Sequence, residues 1–401
     1  MKPNYRATRV ACYLGYITQA ICVNMPTLLF VTFQREYGIS LTKLGLLIAV
    51  NFILQIVVDL AATKLGGRLD FRFFTVLAPL CAVLGLAGMA FLPAWLPSPF
   101  AGLVIATLLM SLGGGLIEVL ISPLVDALPS DTKAADMGLL HSFYCWGIVG
   151  VVVLSTLFFA VCGIARWQIL LCLWTLPPLV CAGMFCAVPM PPAATAEERR
   201  AGLVPLLRQG AFWLMPLLMI ASGASEIALS QWASLFAELG LGVSKAVGDL
   251  LGPCAFAALM GIARIVVSRR AEHHLERSLA LCGIGCVIGY GVIILAPWPL
   301  LSLIGFAISG LSVGLMWPGV LSLCSRRYPG GGTAMFALLA LSGDIGCTAG
   351  PMTVAAVSDA RQAAGAPLLG AMQSGFVLAL VFPVLLLVCL MLLWKSGKKE
   401  G

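Results

Sequence analysis

The sequence predicts an all-α membrane protein with twelve transmembrane helices arranged as two six-helix bundles. Three observations carry this reading. Hydrophobic residues make up 60% of the 401 positions and charged residues only 10%, with a mean hydropathy of +1.02, whereas soluble domains are about one-quarter charged. Apolar runs of about 20 residues, long enough for a hydrocarbon core about 30 Å thick, recur from one end of the chain to the other. With twelve helices and both termini cytoplasmic, nineteen of the 24 Lys and Arg fall on the inner side, leaving Arg35, Lys43, Arg166, Lys245 and Arg361 outside.

Helix 1 is expected at 10–33, after Lys2, Arg6 and Arg9, and its apolar stretch is longer than that of a cleaved signal. Helices 2 to 6 follow at 42–63, 73–92, 101–127, 137–163 and 167–188. Composition then changes: PMPPAATAEERRAGLVPLLRQG, from Pro189, is the longest polar stretch and rich in proline and charge. It divides an N-terminal bundle, 1–188, from a C-terminal bundle, 212–401, by a cytoplasmic linker over 189–211. Helices 7 to 12 are expected at 212–236, 246–268, 278–296, 300–325, 333–357 and 368–394.

The halves echo each other. FQREYGISLTKLG after helix 1 parallels FAELGLGVSKAVG after helix 7, and GLIEVLISPLVDALP in helix 4 parallels GLMWPGVLSLCSRRYP in helix 10. Two parallel six-helix repeats imply a transporter with its substrate site near mid-membrane, where the halves meet and rock. The basic residues sit at helix ends rather than in one patch, which excludes a nucleic-acid partner. The fourteen Cys lie in apolar segments without paired CxxC spacing, so no metal, cofactor or redox site is expected. The absence of HExxH, and of a second aspartate motif to match Gly343-Asp344, argues against an intramembrane enzyme.

Ionisable residues inside such helices mark candidate sites, because a charge at mid-membrane costs roughly 2.5–3.5 kcal/mol. Glu118 in helix 4 is the foremost. Low dielectric favours its protonated form and contact with water its charged form, so alternating exposure would load and release a proton. His141 and Tyr144, three apart on helix 5, share a face; His141 titrates near neutral pH and suits a proton relay or a hydroxyl partner. Glu226 in helix 7, between Ser222 and Ser230, and Asp344 in helix 11, before Thr348, are candidates for a cavity or gate; each is expected to be neutral, paired or wet, with Arg264 as a possible partner. Asn24 and Gln231 complete the polar set. Trp146, Trp232 and Trp317 lie within spans, where they would either stack on a solute or simply pack.

At this point a resemblance to the major facilitator superfamily, and within it to the fucose–proton symporter family, is legible. The family's helix 4 pattern G-x-x-E-x-x-x-N-P-x-V falls on Gly115, Glu118, Ser122, Pro123 and Val125, and its Q-T-F-N-S-F-G on His141 to Gly147. Phe33 through Gly45 and Leu69 to Arg72 also align. The family's helix 1 carboxylate falls on Thr27, so a mechanism with one acid on each of helices 1 and 4 does not carry over. The superfamily loop motif after helix 2 reads ATKLGGRLDFR, in which Lys64, Arg68, Asp70 and Arg72, with Asp59 nearby, would form a cytoplasmic gate. The resemblance implies a proton-coupled permease, taking up a sugar or similar small polar solute across a bacterial inner membrane and working as a monomer. A proton-driven exporter of drugs or metabolites is the alternative, and sodium coupling or uniport stays open.

Overall fold

A backbone in hydrocarbon has to satisfy its N–H and C=O groups within the segment, and helices do so. The computed structural model describes residues 5–65, 71–129, 133–190, 207–271, 274–328 and 332–397, which hold helices, short 3-10 and π turns and connecting loops, with no strand among them. Two compact units result, Met1–Thr195 and Ala196–Gly401. Most of the polar stretch expected as a linker lies outside the described residues.

In the first unit, α1 (Arg6–Leu28) and α2 (Phe30–Tyr37) meet at a bend of 43°. They are followed by α3 (Leu41–Leu65), α4 (Phe71–Trp95), α5 (Pro99–Ala127), α6 (Lys133–Cys162), α7 (Trp167–Trp174) and α8 (Leu176–Ala187). The second contains α9 (Leu214–Ser230), α10 (Ala255–Ala271), α11 (Leu275–Leu295), α12 (Pro299–Val313), α13 (Met316–Arg327), α14 (Gly332–Ala363), α15 (Leu368–Ala379) and α16 (Val381–Gly397).

Ten helical segments among the described residues are long and apolar enough to cross a membrane, or eleven if the bent pair α1–α2 counts as one span. The 32-residue α14, which carries Asp344, Asp359 and Arg361, is not one of them. Six stretches expected to be continuous are interrupted. The sixth breaks at Thr175 before Pro177, the tenth at Gly314–Leu315 before Pro318 and the twelfth at Leu380 before Pro383. A proline ring clashes with the carbonyl four residues back and removes a helix hydrogen bond, which accounts for each position. In the first, Pro26 occupies the last turn of α1, where the Leu29 N–H closes a shorter bond to the Pro26 carbonyl at 3.0 Å. The seventh breaks at Gln231–Trp232 and ends in a π turn, Phe236–Gly240, for which the local sequence offers no proline. A second π turn, Leu250–Cys254, contains Pro253 and interrupts the eighth.

Small residues set the closest helix contacts. A Cβ on Gly113 would overlap the backbone of Ala78 and Ala82, so α4 and α5 touch along their main chains there; Gly346 brings α14 equally close to Ile220 and Ala224 of α9. At the start of α5, Ser98 caps the helix by accepting the Ala101 N–H at 3.3 Å, with Pro99 at the first helical position. Replacing Gly113 with Ala is expected to destabilise the first unit by about 1–3 kcal/mol through overpacking. Gly150→Ala, where a Cβ meets nothing within 4 Å, should be neutral; melting curves of the two variants in detergent check the contrast.

Candidate functional site

Two polar contacts and one glycine fix the surroundings of Glu118. Ser111 Oγ on α5 lies 2.7 Å from Asn51 Oδ1 on α3. One turn on, Gly115 faces Gln55 and Val58. Both positions advance together, so α3 and α5 run side by side in the same direction. On the other flank, α1 runs the opposite way: Gln19 Nε2 donates to Glu118 Oε2 at 2.6 Å, and Tyr16 Oη lies 2.7 Å from Ser122 Oγ. Glu118 is thus held between α1 and α3, and Asp59, next to Val58, lies within electrostatic range of it.

The amide–carboxylate bond is short. Gln19 is nearly buried, and Gly114 beside it leaves room for its stem. Below this rung, Tyr16 packs edge-on against the exposed His141, with ring centroids 5.2 Å apart, and Tyr13 stacks on Phe143 at 4.4 Å. Tyr144 is half-buried against the same core. The structure therefore gathers Glu118, Asp59 and, through Tyr16, His141 in one neighbourhood.

The other expected residues lie elsewhere or have structural partners. Asn24 spends its amide on the Ala20 carbonyl of its own helix, at 2.9 Å. Trp146 is exposed on α6. Arg72 does not face Glu118: its guanidinium donates to the carbonyls of Phe185, Cys186 and Val188 at 2.8–3.1 Å and so caps the end of α8. Arg68 and Asp70, and the side chain of Lys64, lie outside the described residues.

In the second unit, Glu226 is buried and pairs with Arg264 on α10 at 3.6 Å. Asp344 is buried on α14, and a Cβ on the adjacent Gly343 would overlap the half-buried ring of Trp317. Trp232 is fully buried and donates its indole N–H to the Pro351 carbonyl at 3.2 Å, which makes it a packing anchor. Gln231, also buried, ends α9. Sequence reasoning passed over Gln19, the Tyr16–Ser122 contact and Asp249. Asp249 is fully buried, bonded to Ser234 and paired with Lys245 at 3.0 Å. Its signal was present in sequence as Lys245 and Asp249 four apart.

The family model described as Major Facilitator Superfamily matches residues 12–351. The chain belongs to the major facilitator superfamily. No curated protein sequence matches it. Among solved structures, it is similar to a bacterial homolog of the human lysosomal transporter Spinster in an inward-facing, occupied conformation (TM-score 0.78, 15% identity, covering 100% of this chain and 99% of that one). A D-xylose–proton symporter (0.77, 14%, 97% of both) and the nucleoside transporter NupG (0.75, 10%, 96% and 98%) share the fold as well. This major facilitator protein is accordingly a multi-pass membrane transporter, not an enzyme. Its Glu226–Arg264 pair is open to a charge-balance test. Removing one partner of a buried pair costs about 3–5 kcal/mol while replacing both costs much less, so E226Q and R264Q should each lower the melting temperature and the double variant should recover most of the loss.

Proposed function

We propose that this transporter couples proton movement to uptake of a sugar or similar small polar solute by alternating access, with Glu118 as the proton carrier. The observation that supports this is the Gln19–Glu118 bond between two membrane-spanning helices. An amide partner stabilises the carboxylate through hydrogen bonding yet brings no counter-charge. Glu118 can therefore be neutralised by a proton when the site is closed and release it when water enters. Glu226, by contrast, has the guanidinium of Arg264 beside it at 3.6 Å.

The remaining groups take supporting roles. Tyr16, Ser122 and His141 offer hydroxyl and imidazole partners for a polyol, and the Tyr13–Phe143 stack offers an apolar face. Asp344 and Glu226 serve the second unit's side of the cycle, with Gln231 and Trp317. Asp59, Lys64, Arg68, Asp70 and Arg72 form the cytoplasmic gate, Asp59 also acting on Glu118. Counting α14 as a span despite Asp344 gives twelve helices in two bundles, both termini cytoplasmic, in a bacterial inner membrane, with the monomer as the working unit.

The test is substrate-induced alkalinisation of weakly buffered proteoliposomes across a panel of sugars and nucleosides. The native protein should give a signal with one class. E118Q should lose that signal while still exchanging the same solute across the membrane. Silence across the panel from folded protein overturns the uptake reading and favours export, in which accumulation in cells falls when the protein is present.

A further inference from the structure

The face of α3 that meets α5 carries Asn51, Gln55 and Asp59, each four residues from the last, so they form one polar stripe along the helix. Opposite it on α5 stand Thr107, Ser111, Gly115 and Glu118. Four of the polar side chains are more than nine-tenths buried: Asn51 at 8% exposure, Gln55 at 4%, Thr107 at 4% and Ser111 at 2%. This seam is undersupplied with partners. Asn51 Nδ2 and Thr107 Oγ1 have no hydrogen-bond partner among the described residues. The single Ser111 hydroxyl hydrogen faces two acceptors, Asn51 Oδ1 at 2.7 Å and the Thr107 carbonyl at 2.6 Å.

A polar contact that only seals two helices would be saturated, because buried polar groups are paired with protein or with water. Here a donor on Asn51 and the hydroxyl of Thr107 are left over beside the Ser111 hydroxyl that contacts both residues. A water molecule in a protein interior needs two to four polar partners; Asn51 and Thr107 offer them at one end of the seam, and the buried Gln55 stands between that end and Glu118, which lies roughly 16 Å from Thr107 along α5 at about 1.5 Å per residue. Its end is the carboxylate between α1 and α3. The titratable groups around that carboxylate are Asp59 on α3, Tyr16 on α1 and, against Tyr16, His141 on α6.

We propose that the seam between α3 and α5 is a hydrated path delivering protons to Glu118, with Asn51 and Thr107 holding its water. The proposal rests on the reading of Glu118 as proton carrier. A proton enters at the Thr107 end as hydronium, passes along the waters bonded to Thr107, Asn51 and Gln55, and leaves the last of them as neutral water when the carboxylate takes it up. Release runs in reverse. Asn51 and Thr107 are positioning residues: they hold water and do not themselves titrate.

The measurement is infrared spectroscopy of the full-length protein in lipid nanodiscs. Glu118 is identified as the protonated-carboxyl band that E118Q removes, and the rate at which that band shifts after exchange into D2O reports water access. N51L and T107V, the second nearly isosteric, should each slow the shift at least about tenfold, while N51T, which keeps a hydroxyl, should stay within about threefold of native. An unchanged rate in T107V and N51L overturns the seam alone. Should N51L fail to fold, T107V decides. If no band disappears in E118Q at any pH, the proton-carrier reading is overturned and the seam falls with it.

Discussion

Much of the first unit follows from keeping one carboxylate inside an apolar helix. Glu118 on an unpartnered span would cost roughly 2.5–3.5 kcal/mol. Gln19 offsets part of that with a 2.6 Å bond across 99 residues of sequence. The bond requires α1 to lie against α5 at one register, which Gly114 permits beside Gln19 and Gly115 permits on the flank that α3 occupies. The glycine run Gly113–Gly115 therefore serves three neighbours at once: α4 at Gly113, α1 at Gly114 and α3 at Gly115. Gly113 is the tightest of the three: a Cβ there would overlap the backbone of Ala78 and Ala82, whereas one at Gly114 or Gly115 would meet its neighbours at 3.4 Å or more.

The second unit meets the same problem with opposite chemistry. Glu226 faces the guanidinium of Arg264, and Asp249 faces the ammonium of Lys245, so these two buried acids each have a cation within 4 Å. The Glu226–Arg264 pair joins α9 to α10, whereas Lys245 and Asp249 pair within a single helical turn. An amide, by contrast, tolerates either protonation state of its partner. The two units thus hold these acids with different partners, even though their sequences echo one another around the first loop of each half.

The broken helices bear on motion. Breaks at Leu29, Thr175, Gly314–Leu315 and Leu380, with π turns at Phe236–Gly240 and Leu250–Cys254, place weakened backbone hydrogen bonding within long helical stretches. Bends at such points are where a packed bundle can change shape without tearing its core. The α1–α2 bend lies ten residues beyond Gln19, so the helix that holds the acid's partner is itself jointed.

Composition and apolar run length determined by themselves that this chain is a helical membrane protein, because both are local properties of the sequence. They also marked Glu118, Glu226 and Asp344, since an acid in an apolar run is conspicuous wherever it packs. The proline breaks were legible in Pro177, Pro318 and Pro383, although apolar run length alone hides them. The partners were not legible. Gln19 with Glu118, Glu226 with Arg264 and Asn51 with Ser111 are separated by 38 to 99 residues, and their meeting depends on the rotation and register of whole helices. Asn51, Gln55 and Asp59 show their common stripe in spacing alone, but only the packing of α3 on α5 decided that the stripe faces Glu118 rather than lipid.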